Sequence, residues 1–211
     1  EYALIDLSFL GVTDLLLLRG DSNKLDAEQR KMDSHQVATG LQEQVNNFNK
    51  GIGLDGELLS VPEVPFTYGM ACYPEKHEES PNMESEILYT KMKADNGAGY
   101  LVTQMFFDNQ KYFDYVDKCR AAGITIPIVP GIKPIYTRRQ LSILPKIFRT
   151  EIPEALEKEL RKCKTDEEAR EIGVEWCTMQ SKELIQHNVP GIHYYALGAT
   201  ESIYRVAKEI Y

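Results

Sequence analysis

Polar residues that could bind a ligand, or take part in its chemistry, follow four apolar runs of this sequence. They are Arg19, Gly20 and Asp21 after one run, Tyr73, Glu75 and His77 after a second, Gln104 and Asp108 after a third, and Gly131, Lys133 and Tyr136 after a fourth. The amide of Gln104 has both a donor and an acceptor, so it suits a ligand that needs both. A neighbouring backbone group would satisfy the same amide equally well, and the pattern leaves the two interpretations open.

Five short apolar runs must position these residues. None of them alternates strictly between apolar and polar residues, which is typical of parallel strands covered on both faces. The predicted strands are 14–21, 66–74, 100–108, 125–132 and 191–198.

Helical patterns precede, separate and follow the predicted strands. They are residues 1–11, which stop at Gly11, residues 37–51, a helix capped by Asn109 that ends at Gly123, a helix that opens with a Thr165–Glu168 capping box, and a final helix after Thr200. Alternating strands and helices indicate a parallel α/β architecture, either a TIM-type barrel or an open doubly wound sheet. Polar residues after many strands favour the barrel, because an open sheet concentrates them at one switch point.

Composition excludes some classes of partner. The chain has 211 residues, 43% of them hydrophobic, and a formal net charge of −8 without a block of lysine and arginine. Nucleic acid and anionic membranes both reward a basic surface, so neither is predicted as a partner. A small anionic ligand stays compatible with this charge, because a few well-placed cations suffice. No stretch approaches the roughly 20 apolar residues of a membrane span, and no signal peptide is recognised at the start.

The cysteines and histidines are scattered. Four cysteines contain no CxxC pair, and the four histidines are far apart in the sequence. This distribution predicts reduced thiols in a cytoplasmic protein and no metal site.

Five ordered stretches of the sequence resemble one family. These are LLLLRGD, ACYPEKHEES, VTQMFFDNQKYFDYVDKCRAAGI, IPIVPGIKPI and GIHYYALGATE, and together they resemble methylenetetrahydrofolate reductase. The resemblance implies a (β/α)₈ barrel that binds FAD, with NADH or NADPH and a folate using the same flavin in turn. It also implies a homo-oligomer. The chain supplies only about five of the eight strands of such a barrel, so we expect a single catalytic-barrel domain that is incomplete at its N-terminal side.

The resemblance assigns catalytic and folate-binding roles to three residues. Asp21 matches an aspartate that favours a cationic folate intermediate electrostatically. Gln104 matches a glutamine that contacts both the pterin and the nicotinamide, and Gln140 matches a second glutamine at the folate site. From the sequence alone, Asp21 is also compatible with an N-cap or turn residue after a strand, and Gln140 is equally compatible with an exposed helix position.

The resemblance also implies a set of FAD-binding residues, namely Arg19, Gly20, Asp21, Ala38, Tyr73, His77, Glu86 and Lys93. Gly20 would let the backbone approach the flavin closely, and Lys93 would neutralise pyrophosphate charge. Four positions depart from the family pattern. They are Tyr89 and Met92 in place of asparagine and arginine, Leu144 in place of an aromatic residue, and Ala199 in place of a folate-binding arginine.

Two other interpretations compete with a flavin-dependent reductase. The chain could be a catalytically silent part of such a barrel, because the strands that carry the family's general-acid glutamate are not among those it supplies. It could also be an unrelated barrel enzyme that acts on phosphorylated metabolites, although no glycine-rich phosphate loop follows the later strands.

Overall fold

The computed structural model describes residues 1–19, 37–196, 198 and 200–211. The strands are β1 (Asp14–Leu17), β2 (Thr67–Cys72), β3 (Tyr100–Thr103), β4 (Ile128–Val129), β5 (Gly131–Ile132) and β6 (His193–Tyr194). The helices are α1 (Tyr2–Phe9), α2 (Ala38–Phe48), α3 (Met83–Asp95), α4 (Asn109–Ala121), α5 (Gln140–Phe148), α6 (Glu154–Lys162), α7 (Asp166–Gln186) and α8 (Thr200–Ile210). A strand therefore lies in each of the five predicted runs.

All strand pairs are parallel and follow the order of the chain. The four-stranded sheet has the order β1-β2-β3-β4, and β5 pairs with β6. Strands β4 and β5 are separated only by Pro130, whose carbonyl accepts a hydrogen bond from the amide of His193 at 2.9 Å. A doubly wound sheet needs a point where the strand order reverses, and the described strands contain no such reversal. The described residues also do not close a barrel, so the predicted (β/α)₈ architecture stays a prediction.

The strands are shorter than the apolar runs that predicted them. Met105, Phe106 and Phe107 follow β3 and are almost fully buried, yet they lie outside the hydrogen-bonded ladder. They are buried because they pack against later helices. A hydrogen bond holds one of these helices close by, since the indole of Trp176 in α7 donates to the carbonyl of Phe107 at 2.9 Å. Burial and strand pairing therefore end at different residues.

Two apolar clusters form the core. The larger one joins the sheet to α1, α2, α4, α7 and α8, and it includes Met70, Leu101, Tyr115 and Val206. The smaller one joins the segment after β3 to α5, α6 and α7, through residues such as Phe107, Leu144, Leu156 and Leu160.

The helix caps confirm part of the prediction. Thr165 caps α7, because its hydroxyl accepts a hydrogen bond of 3.2 Å from the amide of Glu168. The Glu168 carboxylate, however, accepts from the amide of Lys164 instead of completing the capping box. The predicted cap of α4 is wrong by one residue, since the side chain of Asp108 accepts from the amide of Gln110 and Asn109 lies inside the helix.

Across the described part of the chain, no helix combines the length and the apolar character that crossing a bilayer requires. All four cysteines are free thiols with buried side chains. No group of three or more metal-binding side chains occurs among the residues described.

Candidate functional site

A cavity of about 370 Å³ lies beside the carboxyl ends of β1 and β2. Its lining comes from the end of β1, the start of α2, the loop after β2 and one face of α3, and comprises Leu17, Leu18, Arg19, Val37, Ala38, Thr39, Ala71, Tyr73, His77, Glu79, Ser80, Glu86, Tyr89, Met92 and Lys93. Six residues predicted to bind FAD are in this set: Arg19, Ala38, Tyr73, His77, Glu86 and Lys93. The fold thus brings together residues that are up to 74 positions apart, although their role in binding stays a prediction.

Helix α3 presents its functional side chains through simple helical spacing. The side chain of Asn82 caps the helix by accepting a hydrogen bond of 2.8 Å from the amide of Ser85. Glu86, Tyr89 and Lys93 then recur at intervals of three and four residues, which places them on one face. That face is directed at the cavity.

The ammonium of Lys93 is held between strand and loop. It donates a hydrogen bond of 2.8 Å to the carbonyl of Ala71 in β2 and lies 5.7 Å from the centre of the Tyr73 ring. Burial lowers the pKa of Lys93, although the nearby Glu86 carboxylate opposes that shift. An ammonium has three donors, so an anionic ligand would both use the remaining donors and stabilise the charged form.

Glu86 holds the loop after β2. Its side chain is only 1% exposed, and its carboxylate accepts hydrogen bonds from the amide of His77 at 3.1 Å and from the hydroxyl of Ser80 at 2.7 Å. The His77 ring packs edge-on against Tyr73, with 4.6 Å between ring centres. Its Nδ1 accepts a hydrogen bond from the amide of Glu79. Glu86 therefore shapes the wall on which Tyr73 and His77 lie.

Arg19 is the second cation of the cavity. Its guanidinium binds both carboxylate oxygens of Glu79, at 2.9 and 3.0 Å. Those hydrogen bonds raise the pKa of Arg19, so the side chain is charged at any physiological pH. A phosphate group that reached Arg19 would have to compete with the carboxylate of Glu79.

The two predicted glutamines lie outside the cavity lining. The Oε1 atom of Gln104 accepts a hydrogen bond of 2.9 Å from the amide of Met105, which is the backbone-satisfied arrangement that the sequence left open. Gln140 is buried, and its Oε1 accepts from the amides of Tyr136 and Thr137 at 2.8 and 3.2 Å. The alternative of an exposed helix position is therefore wrong for Gln140. Substrate contacts of both glutamines stay predictions.

Three positions of the predicted site lie outside the described residues. Gly20 and Asp21 belong to the segment 20–36, and Ala199 is a single position before α8. The catalytic, flavin-binding and folate-binding roles predicted for Asp21 therefore stay predictions.

The sequence did not indicate the apolar half of the cavity. Leu18, Val37, Tyr89 and Met92 line it with large parts of their side chains exposed, 48% for Tyr89 and 45% for Met92. Exposed apolar side chains inside a polar-rimmed cavity are typical of a ligand site. Tyr89 and Met92 are two of the four positions that depart from the family pattern, so their departure was the available signal.

The parallel α/β fold, with a cavity at the carboxyl ends of two neighbouring strands, defines an α/β protein with a candidate ligand site. The chain belongs to the methylenetetrahydrofolate reductase family, whose model matches residues 1–211. It is 29% identical over 208 residues to the probable methylenetetrahydrofolate reductase (NADPH) of Caenorhabditis elegans. The aligned region covers 95% of this chain and 28% of that protein.

A bacterial relative is also similar in sequence to this chain. The chain is 34% identical over 159 residues to the 5,10-methylenetetrahydrofolate reductase of Buchnera aphidicola subsp. Schizaphis graminum, covering 75% of this chain and 54% of that protein. The chain thus spans between about a quarter and about half of these relatives. A solved structure, an uncharacterized protein from Clostridium thermocellum that binds two copies of 5-methyl-5,6,7,8-tetrahydrofolic acid, aligns over 69% of this chain and 52% of its own, with a TM-score of 0.47 and 18% identity.

Proposed function

We propose that this chain is part of a flavin-dependent enzyme that reduces 5,10-methylenetetrahydrofolate to 5-methyltetrahydrofolate with NADH or NADPH. Family membership supports the reaction class. The observation that carries the proposal is the convergence of Arg19, Tyr73, His77 and Lys93 on one cavity. Relatives named for NADPH and for NADH leave both nicotinamides as candidates.

The proposed architecture is an arc of a (β/α)₈ barrel within a single catalytic domain. Its support is the order of the strands, which are parallel and sequential from β1 to β4 and continue through β5 to β6. A singly wound arrangement of this kind closes into a barrel when further strands join its two edges. The cavity at the carboxyl ends of β1 and β2 lies on the side where barrel enzymes bind their ligands.

The residues of the cavity fit the chemistry of FAD. Lys93 and Arg19 are suited to the pyrophosphate, while Leu18, Tyr89 and Met92 offer apolar surface to a ring system. Bound FAD would supply the carrier that takes a hydride from the nicotinamide and passes it to the folate.

The folate side of the reaction rests on Asp21, Gln104 and Gln140. A carboxylate such as Asp21 would stabilise the cationic ring-opened folate. The Oε1 atoms of both glutamines already accept backbone hydrogen bonds, so their Nε2 groups are the atoms we assign to the substrates. A single amide donor that is held in a fixed orientation can serve two substrates that bind one after the other.

The proposal also covers the oligomeric state and the cellular location of the enzyme. We infer a homo-oligomer that works in the cytoplasm, because the family is commonly oligomeric and because all four cysteines are free thiols.

The decisive test compares two lysines of α3 in the full-length natural protein. Lys93→Met removes one of the two cations of the cavity, whereas Lys91→Met removes a lysine that pairs with Asp95 on the exposed side of the same helix. We expect bound oxidised flavin in the visible spectrum of the wild type. FAD affinity should fall roughly tenfold or more in Lys93→Met, as for the loss of a charged hydrogen bond, and stay unchanged in Lys91→Met.

A measurement of enzymatic activity completes the test. The wild type should oxidise NADH or NADPH with an artificial electron acceptor and form 5-methyltetrahydrofolate. A colourless protein that binds no added FAD would overturn the proposal and favour the catalytically silent alternative.

A further inference from the structure

A half-buried carboxylate bridges two loops that are far apart in the sequence. Glu75 follows β2 and accepts hydrogen bonds from the hydroxyl of Thr150 at 2.8 Å and from the amide of Glu151 at 3.0 Å. The bonded residues Glu75 and Thr150 are 75 positions apart, and Thr150 is only 3% exposed. Burial raises the pKa of Glu75, and the two hydrogen bonds oppose that shift.

Strained backbone lies on both sides of this bridge. Among the described residues, three non-glycine residues have a positive φ, and two of them are Lys76 (74°) and Arg149 (57°). Lys76 follows Glu75 directly, and Arg149 directly precedes Thr150. Left-handed backbone in a non-glycine residue persists only where the surrounding contacts hold it. The bridge is a contact that ties the two strained turns to each other.

Other contacts near this bridge are weaker. Arg149 pairs with Glu78 at 3.4 Å and Lys111 of α4 pairs with Glu151 at 3.0 Å, and all four side chains are substantially exposed. Exposed ion pairs contribute little because water and salt screen them. The half-buried Glu75 carboxylate, with two charge-assisted hydrogen bonds, is the stronger connection.

The bridge connects two predicted ligand sites. On one side, the loop 73–80 carries Tyr73 and His77, which line the cavity. On the other side, the turn at Arg149 ends α5, whose first residue is Gln140. We propose that Glu75 is a positioning residue, which holds the loop 73–80 against the turn 149–151 and thereby fixes Tyr73 and His77 at the cavity. It touches no ligand itself.

Hydrogen exchange of backbone amides tests this proposal without any ligand. Thr150→Val removes the hydroxyl at nearly constant volume, Thr150→Ser keeps it, and Glu75→Gln removes the charge. In the full-length protein, Thr150→Val and Glu75→Gln should speed exchange roughly tenfold at the amides of His77 and Ser80, which are hydrogen-bonded within the protein. Thr150→Ser should match the wild type. Glu78→Gln, which breaks only the exposed pair, is the matched control and should change nothing.

Two outcomes would overturn the proposal. One is unchanged exchange of the loop in both Thr150→Val and Glu75→Gln. The other is a uniform increase over the whole chain, which would mean that the bridge contributes only to global stability.

A flavin titration adds a second readout, which rests on the proposed function. FAD affinity should fall several-fold in Thr150→Val and recover in Thr150→Ser. If the loop loosens but no variant binds FAD, the positioning role stands and the proposed function fails. If FAD binds equally well to a loosened loop, the proposed function stands and Glu75 does not position the cavity.

Discussion

The ammonium of Lys93 lies 2.8 Å from the carbonyl of Ala71, so this half-buried cation of the cavity is anchored to strand β2 by a neutral acceptor. No ion pair of Lys93 with a carboxylate occurs among the described residues. A ligand anion that enters this cavity therefore meets a cation whose charge is only partly compensated.

The pH dependence of ligand affinity should report this arrangement. Burial lowers the pKa of Lys93 below its usual 10.5, so the folded protein loses this proton at a lower pH than the unfolded chain. Affinity for FAD should be full below the lowered pKa and fall as the pH rises through it. Between the lowered pKa and 10.5, the unfolded chain holds the extra proton, so the free energy of unfolding of the unliganded protein should rise over the same window.

Lys93→Arg tests the assignment, because a guanidinium stays charged throughout this range. FAD titrations from about pH 7 to pH 10.5 should show the loss of affinity in the wild type but not in Lys93→Arg. Identical pH profiles would assign the titration to another group.

Removing the carboxylate of Glu86 should destabilise the protein. In Glu86→Ala the amide of His77 and the buried hydroxyl of Ser80 lose their acceptor. We expect a decrease of about 1–3 kcal/mol in the free energy of unfolding, measured by urea denaturation. Glu84→Ala on the exposed side of α3 is the control, with an expected change within about 0.5 kcal/mol. Equal effects of the two substitutions would contradict a specific role for Glu86.

Gly173 is required where α7 meets the segment after β5. A Cβ at this position would lie 1.8 Å from the carbonyl oxygen of Ile135, so Gly173→Ala must push the helix away from the backbone. We expect a loss of at least about 2 kcal/mol in the free energy of unfolding. A Cβ at Gly191 meets no atom within 4 Å, and Gly191→Ala should therefore be close to neutral. A neutral Gly173→Ala would show that α7 does not pack this closely.

Arg149→Gly should stabilise the protein, or at least leave its stability unchanged. Arg149 has left-handed backbone at the end of α5, a conformation that glycine adopts without steric cost. We expect a gain of up to about 1 kcal/mol in thermal or urea denaturation. Lys146→Gly, in the last turn of the same helix, should instead lose up to about 1 kcal/mol. A clear loss in Arg149→Gly would mean that its side chain contributes more than its exposed pair with Glu78 suggests.

The sequence predicted the strands and helices well where the periodicity of apolar residues coincides with their burial. Strands lie in all five predicted runs, and α2, α7 and α8 follow the predicted spacing. Helix α6 was missed, although Leu156 and Leu160 lie four residues apart and Glu154 pairs with Lys158 one turn on. The strand ends were placed too late, because residues such as Phe106 are buried by helices and not by strand pairing.

The resemblance to the family predicted the part of the candidate site that its motifs cover. Six predicted residues meet at the cavity, but nothing local in the sequence indicates that Glu75 bonds to Thr150. That contact depends on how α5 ends in space, and pairs so distant in sequence leave no periodic signal. The burial of Gln140 was equally hidden, since its Oε1 atom accepts from the amides of Tyr136 and Thr137 in a turn that no periodic pattern indicates.

The pairing of β5 with β6 has a consequence for the order of folding. These strands are joined by a connection that contains α5, α6 and α7, and the contact between Lys133 and Tyr195 spans 62 residues. The cost in chain entropy of closing a loop grows with its length, and long-range parallel pairing is slow to form. We therefore expect β1 to β4 to assemble first and β6 to dock last. A nascent chain would thus expose the edge of β5 until β6 has been synthesised and has docked.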